Sequence, residues 1–165
     1  MKKSFIACAM FMGATFASIA QANSLVNALT ADTCHSMTLE SKDKNVLLKP
    51  ASQNAYTIFF IKNNAAKSIW LDHPTHKTAN AGWSSYLRPN NWSALLLDTK
   101  TFEMSCATIE PGKVNYLVCK DALQICAPSH IAIKTAHKGS YWLVEDKSWQ
   151  DLLKGLIKRK VNIAL

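Results

Sequence analysis

Paired cysteines are the clearest chemistry in this sequence. After the first 22 residues there are four, at Cys34, Cys106, Cys119 and Cys126. An even number in a domain exported to an oxidising compartment favours two disulfides, and four cysteines allow three pairings. The short spacing of Cys119 and Cys126 favours a bridge between them, which leaves Cys34 to pair with Cys106. The main alternative joins Cys106 to Cys119, which lie diagonally across a hairpin if the turn between them has two residues, and this strains the bridge.

Two histidines and an aspartate in the segment Asp72-His73-Pro74-Thr75-His76 are the candidate metal ligands. His73 and His76 with Asp72 could bind zinc or copper. Loop histidines are more often solvated, and Pro74 restricts the directions of the two rings. The sequence contains no C-x-x-C motif, so the cysteines do not suggest a redox dithiol or a zinc site. We therefore predict no bound metal or other cofactor, with His73 and His76 as weak candidates.

Motifs for catalysis are absent from the sequence. There is no G-x-S-x-G nucleophile motif and no glycine-rich phosphate loop. The carboxylates are scattered, so they do not suggest the acid pair of a glycosidase. None of the five histidines has a serine or cysteine at a familiar catalytic spacing. We expect a non-enzymatic protein with no catalytic residues.

Aromatic side chains offer a candidate binding surface. Trp83 and Trp92 bracket a short strand and turn that contain Tyr86 and Arg88. Tryptophans in strands usually pack in a core, whereas an exposed Trp, Tyr and Arg cluster is typical of protein- or glycan-binding surfaces. The predicted surface therefore consists of Trp83, Tyr86, Arg88 and Trp92.

The first 22 residues have the pattern of a secretory signal peptide. Lys2 and Lys3 precede an uncharged apolar stretch, and Ala20-Gln21-Ala22 predicts cleavage after Ala22. Removal of residues 1–22 leaves 143 residues and lowers the formal charge of the chain from +8 to +6. We expect a periplasmic or secreted protein, and export argues against a nucleic-acid partner. The C-terminal basic helix is the only candidate for membrane contact.

Short apolar runs recur about every ten residues with turn signals between them, which predicts an all-β protein. The run Tyr56 to Ile61 is apolar on both faces, which predicts a strand that is buried on both sides. In the run Thr101 to Ile109, the residues Phe102, Met104 and Cys106 share one face. Pro111-Gly112 suits a type II turn. We predict a single β-sandwich domain over residues 23–165, immunoglobulin-like or similar.

The C-terminal segment 148–160 has helical rather than strand spacing. An apolar stripe runs along one side of it, and consists of Trp149, Leu152, Leu153, Leu156 and Ile157. Ser148 and Asp151 have the spacing of a capping box, with Asp in place of the usual Glu. Gly155 costs about 1 kcal/mol of helix propensity relative to alanine. We expect an amphipathic helix that depends on docking against the sheet.

Short motifs spread over most of the chain carry a family resemblance. They are Phe60-Ile61-Lys62-Asn63-Asn64, Ser68-Ile69-Trp70-Leu71-Asp72-His73-Pro74, Ala81-Gly82-Trp83-Ser84-Ser85-Tyr86-Leu87, Asn91-Trp92-Ser93-Ala94-Leu95, Phe102-Glu103-Met104-Ser105-Cys106, Pro111-Gly112, Cys119, Cys126, Ser140-Tyr141-Trp142-Leu143 and Ser148-Trp149. On these the chain resembles the enhanced-entry protein B family of small exported bacterial proteins. The resemblance implies a virulence-associated factor for host-cell entry. It implies no catalytic residues and no established molecular activity.

These observations lead to three hypotheses of function. The first is an exported, non-enzymatic protein that binds another envelope or host protein through its aromatic surface. The alternative is an exported inhibitor of a hydrolase that uses the loop from Asp72 to Gly82, since a rigid loop loses little entropy on binding. The second alternative is a periplasmic metal-binding protein that uses His73 and His76.

Overall fold

A computed structural model describes residues 38–50, 56–73, 84–98, 101–128, 132–134, 139–159 and 162–164. Within these residues the strands are β1 (Glu40–Lys42), β2 (Asn45–Leu48), β3 (Thr57–Asn63), β4 (Ile69–Asp72), β5 (Ser85–Leu87), β6 (Trp92–Leu97), β7 (Phe102–Glu110), β8 (Lys113–Leu117), β9 (Leu123–Cys126), β10 (Ala132–Lys134), β11 (Tyr141–Lys147) and β12 (Asn162–Ala164). The helices are α1 (Cys119–Ala122) and α2 (Trp149–Lys158). The predicted signal peptide, Cys34, His76 and Trp83 lie outside the described residues.

Two antiparallel sheets make up most of the fold. The outer sheet has the order β1-β2-β7-β4-β5, and β8 also pairs with β7. The inner sheet has the order β11-β6-β3-β9, and β10 and β12 form a separate pair. One apolar cluster contains side chains from both sheets, among them Leu71 and Met104 of the outer sheet and Phe59 and Leu95 of the inner sheet. The sheets therefore pack face to face, and the all-β sandwich predicted from the sequence is confirmed.

The inner sheet is covered on both faces. A second apolar cluster joins its other face to α2 and includes Phe60, Leu96, Leu152 and Leu156. Strand β3 is buried along almost its whole length, as its uninterrupted apolar sequence predicts. The protein thus has three layers, in which the inner sheet lies between the outer sheet and the C-terminal helix.

The C-terminal helix docks through the stripe predicted from the sequence. Ser148 is the N-cap, and its Oγ accepts a hydrogen bond from Asp151 N at 3.2 Å. A Cβ placed on Gly155 would lie 2.9 Å from Val144 Cγ2. Because Val144 is β-branched and buried, it has little freedom to move aside. The glycine therefore allows the helix to approach strand β11 closely, which explains a residue that helix propensity alone disfavours.

The hairpin of β7 and β8 has the predicted type II turn. Glu110 pairs with Lys113, so the turn consists of Pro111-Gly112 alone. Gly112 has a φ of 73°, which is the positive value that the third position of this turn requires. The register of the hairpin follows from the turn and continues without a shift to Cys106, which lies opposite Leu117.

The disulfide pairing favoured from the sequence is wrong. Cys106 is bonded to Cys119, with Cα atoms 5.4 Å apart. The sequence pattern extends β8 to Cys119, but the strand ends at Leu117 and Cys119 begins the helical turn α1. This turn moves Cys119 out of the diagonal strand position, so its sulfur atom can reach that of Cys106. Cys126 is also disulfide-bonded.

Candidate functional site

Exposed apolar side chains concentrate on one surface of the molecule. Among the described residues, five large hydrophobic side chains are exposed. They are Trp70 at 37%, Tyr86 at 43%, Ile109 at 55%, Val114 at 52% and Tyr116 at 61%. All five lie on the side of the outer sheet that faces away from the inner sheet. We call these five residues, together with Ala107 between them, the outer aromatic face.

Strand alternation places these side chains outward. In β4, Ile69 and Leu71 are buried in the sandwich, so Trp70 points to the opposite side of the sheet. In β5, Tyr86 alternates in the same way with the buried Ser85 and Leu87. Trp70 and Tyr86 are direct cross-strand partners, and their ring centroids lie 5.5 Å apart.

The outer aromatic face is continuous across four strands. Trp70 pairs with Ala107 of β7, and Ala107 pairs in turn with Tyr116 of β8. Ala107 is only 7% exposed, so its neighbours cover it and no polar gap interrupts the row. Ile109 and Val114 form the next outward-facing pair toward the hairpin turn. The result is a continuous apolar strip with aromatic rings at Tyr86, Trp70 and Tyr116.

The predicted binding surface is divided between the two sheets. Tyr86 belongs to the outer aromatic face, but Trp92 begins β6 of the inner sheet. The Trp92 ring packs against Trp149 of α2 with centroids 4.6 Å apart and is partly buried. Arg88 lies between them, where the chain crosses from one sheet to the other, and it binds Asp146. The structure therefore does not bring Tyr86 and Trp92 onto one face, and Trp83 is not described.

Sequence reasoning did not select Trp70 or Tyr116 for this surface. Their signal was the period-two alternation in which Trp70 lies between Ile69 and Leu71, and Tyr116 two residues after Val114. A tryptophan in a strand is more often a core residue, so the residue type predicts burial even where the alternation places the side chain outward.

A polar cluster lies at the corner where β5 approaches β11. The carboxylate of Asp146 accepts hydrogen bonds from Arg88 N at 2.9 Å, Arg88 Nε at 2.6 Å and Asn91 Nδ2 at 2.8 Å. The N–H of Asp146 donates to Ser93 Oγ at 3.0 Å. Asp146 has a φ of 48° within a strand whose register is irregular, so these bonds hold an unusual backbone conformation in place.

Electrostatics keep the acids of this corner ionised. Burial opposes the charge on Asp146, but the hydrogen bonds from Arg88 and Asn91 and the Arg88 charge outweigh it, so the pKa of Asp146 is lowered. Hydrogen bonds from Ser148 and Lys154 lower the pKa of the exposed Asp151. Both carboxyls line an open cavity of about 580 Å³ with Arg88 and Lys147. Acids with lowered pKa values are poor proton donors at neutral pH, and the bonds of Asp146 indicate a structural clamp.

The weak metal candidates are only partly described. His73 Nδ1 lies 2.6 Å from the carbonyl oxygen of Glu103, and its ring stacks on Phe102 with centroids 4.6 Å apart. A carbonyl only accepts hydrogen bonds, so Nδ1 is the donor and only Nε2 remains for a ligand. The described parts of the chain contain no group of three or more metal-binding side chains. His76 and the proposed inhibitory loop beyond His73 lie outside the described residues.

Comparison with known proteins does not assign the chain to a family. No protein family, no curated protein and no solved structure matches the chain. Over the ranges that the structure covers, no helix has the length and apolar character needed to cross a membrane. The function must therefore be inferred from the outer aromatic face and the sequence.

Proposed function

We propose that this chain is an exported, non-enzymatic binding protein whose outer aromatic face contacts another protein of the bacterial envelope or of a host cell. The observation that carries the proposal is the location of all five exposed large hydrophobic side chains of the described residues on one side of one sheet. Scattered exposed hydrophobic residues need no explanation, whereas a contiguous patch on a small domain is typical of an interaction site.

The composition of the strip favours a protein partner. Trp and Tyr are enriched among the residues that dominate protein–protein binding energies. At the observed exposures the rings of Trp70, Tyr86 and Tyr116 present about 300 Å² of surface. Ile109 and Val114 extend the same surface. This is a suitable apolar centre for an interface of about 800 Å² per partner.

Two features support export as part of the proposal. Residues 1–22 have the pattern of a signal peptide, and the Cys106–Cys119 bridge is typical of proteins that fold in an oxidising compartment. The resemblance to the enhanced-entry protein B family supports an association with host-cell entry. The partner would then be found in the envelope of the bacterium or at the surface of the host cell.

Affinity capture tests the proposal directly. The immobilised chain without residues 1–22 is exposed to an envelope extract and to a host-cell extract, and captured proteins are quantified by mass spectrometry. Trp70→Ser and Tyr116→Ser alter the outer aromatic face, and Gln150→Ser alters an exposed position on α2 as a matched control.

We expect a defined protein that is captured by the wild type and by Gln150→Ser but is strongly depleted with both face variants. Equal recovery by the face variants would contradict the proposal, and so would a wild type that enriches no protein from either extract. Circular dichroism of each variant verifies that it remains folded.

A further inference from the structure

Within the part of the chain that the structure describes, strand β8 has one hydrogen-bonded edge and one free edge. Among the described residues it pairs only with β7, over five consecutive positions without a register shift. Glu110 and Lys113 flank a two-residue turn, so they form a hydrogen-bonded pair, and such pairs alternate along an antiparallel hairpin. The backbone groups of Lys113, Asn115 and Leu117 therefore point to β7. Those of Val114 and Tyr116 point away from it.

The groups on the free edge have almost no partners in the described part of the chain. The N–H groups of Val114 and Tyr116 make no backbone hydrogen bond to any described residue. The carbonyl oxygen of Tyr116 accepts a long bond from Lys44 Nζ at 3.4 Å. A carbonyl oxygen has two lone pairs, so it can accept a second hydrogen bond while Lys44 stays in place.

Other edge strands are protected in recognisable ways. Strand β1 has only three residues and carries the charged side chains of Glu40 and Lys42. Strand β11 has two register irregularities, and bulges of this kind disfavour further pairing. Strand β8 has neither a proline nor a bulge, and among the described residues the features that oppose further pairing are the charge of Lys113 at its first position and the Lys44 contact. It is therefore a better template for another strand than β1 or β11.

We propose that β8 accepts an extended segment of a partner protein by antiparallel strand addition. The inference rests on the proposed binding function and specifies its mode. Residues of an added strand opposite Val114 and Tyr116 would form hydrogen-bonded pairs and place their side chains on the outer aromatic face. Strand addition of this kind gains affinity from backbone bonds and specificity from alternate side chains.

The same register defines the chemistry of the partner segment. Positions opposite Val114 and Tyr116 take apolar side chains, and β-branched residues pair well with an aromatic neighbour across strands. The position opposite Lys113 takes an acid, because Lys113 is exposed and forms no ion pair with any described residue. The segment is therefore an extended chain with two apolar residues two positions apart, followed directly by an acidic residue.

A minimal probe with this pattern is the peptide acetyl-Thr-Val-Thr-Val-Glu-amide. In antiparallel alignment its two valines lie opposite Tyr116 and Val114, and its glutamate lies opposite Lys113. The matched control is the same peptide with both valines N-methylated, which removes the two N–H groups that face β8 and keeps the side chains. Each peptide is titrated into the full mature chain labelled with ¹⁵N and followed by amide NMR.

We expect shifts and slower hydrogen exchange at the amides of Val114 and Tyr116, with little change at Lys113, Asn115 and Leu117, which are already bonded to β7. The N-methylated peptide should bind about tenfold more weakly, because two hydrogen bonds are lost. The proposal is overturned by equal binding of the two peptides, by shifts without this alternation, or by no shift at millimolar peptide.

This outcome is separate from that of the capture experiment. A partner that depends on Trp70 and Tyr116 side chains, with no alternating amide response to the peptide, would retain the binding function and reject strand addition. In a chain that captures no partner, an alternating response would still establish the free edge of β8 as a strand acceptor.

Discussion

Replacement of Asp146 should destabilise the protein, and the cost of each substitution should depend on the hydrogen bonds that it removes and on the backbone conformation at this position. Its carboxylate accepts three hydrogen bonds, and its side chain is only 20% exposed. Water can reach the open cavity, so we assign each bond about 1 kcal/mol, which is less than the usual value for a charged acceptor. Alanine at a φ of 48° adds about 1 kcal/mol of backbone strain. Asp146→Ala should therefore cost about 3–4 kcal/mol.

Two further substitutions separate these contributions. Asp146→Gly loses the same bonds without the backbone strain, so it should cost about 1 kcal/mol less than alanine. Asp146→Asn keeps an acceptor oxygen and tolerates a positive φ, and it loses mainly the ion pair with the exposed Arg88 side chain, worth about 1 kcal/mol or less. The free energy of unfolding is measured by urea denaturation at pH 7, with Asp121→Asn as an exposed control.

The pH dependence gives an independent check. Because the pKa of Asp146 is lowered in the folded state, its ionisation stabilises the protein above the ordinary carboxyl pKa of 3.8. That stabilisation is lost as the pH falls through 3.8 toward the lower folded value. The advantage of the wild type over Asp146→Asn should shrink over this range. Equal costs for Asn and Ala at pH 7, or a difference that does not depend on pH, would refute the reasoning.

Three other results are expected. Gly155→Ala gains about 1 kcal/mol of helix propensity, but its methyl group would meet Val144 Cγ2 at 2.9 Å and overpacking costs about 1–3 kcal/mol, so urea denaturation should show no stabilisation. A clear gain in stability would contradict the close helix–strand contact. Ser148→Ala removes the N-cap acceptor and should lower the unfolding free energy by about 1 kcal/mol, and an unchanged value would show that the cap contributes nothing. Proteolytic mapping without reduction should recover Cys106 and Cys119 in one linked peptide, whereas a link from either cysteine to another part of the chain would reject this bridge.

Local patterns in the sequence predict much of the fold. Strand β3 is buried on both faces, as its continuous apolar run indicates. The stripe on α2 and the cap at Ser148 are also confirmed. These features depend on residues close together in the chain, where side-chain period and capping chemistry act directly.

The site depends on contacts between distant parts of the chain, which local patterns do not contain. Tyr86 and Trp92 are six residues apart but belong to different sheets, and the segment between them is bonded to Asp146, which is distant in the sequence. The cysteine pairing depends on the end of β8 at Leu117, where a helical turn replaces the expected extended strand. Sequence period shows which side chains alternate, but only the assembled sheets show which side faces solvent.

The burial of the inner sheet on both faces has a consequence for how the protein can evolve. Residues that hold the layers together, such as Phe59 and Phe60, are fully buried, whereas Trp70 and Tyr116 lie on the opposite side of the outer sheet from this core. Substitutions on the outer aromatic face therefore remove few of the contacts that stabilise the folded state. Sequence drift can change this surface while the same interior continues to fold, so related chains could share the scaffold and differ in the side chains that they expose here.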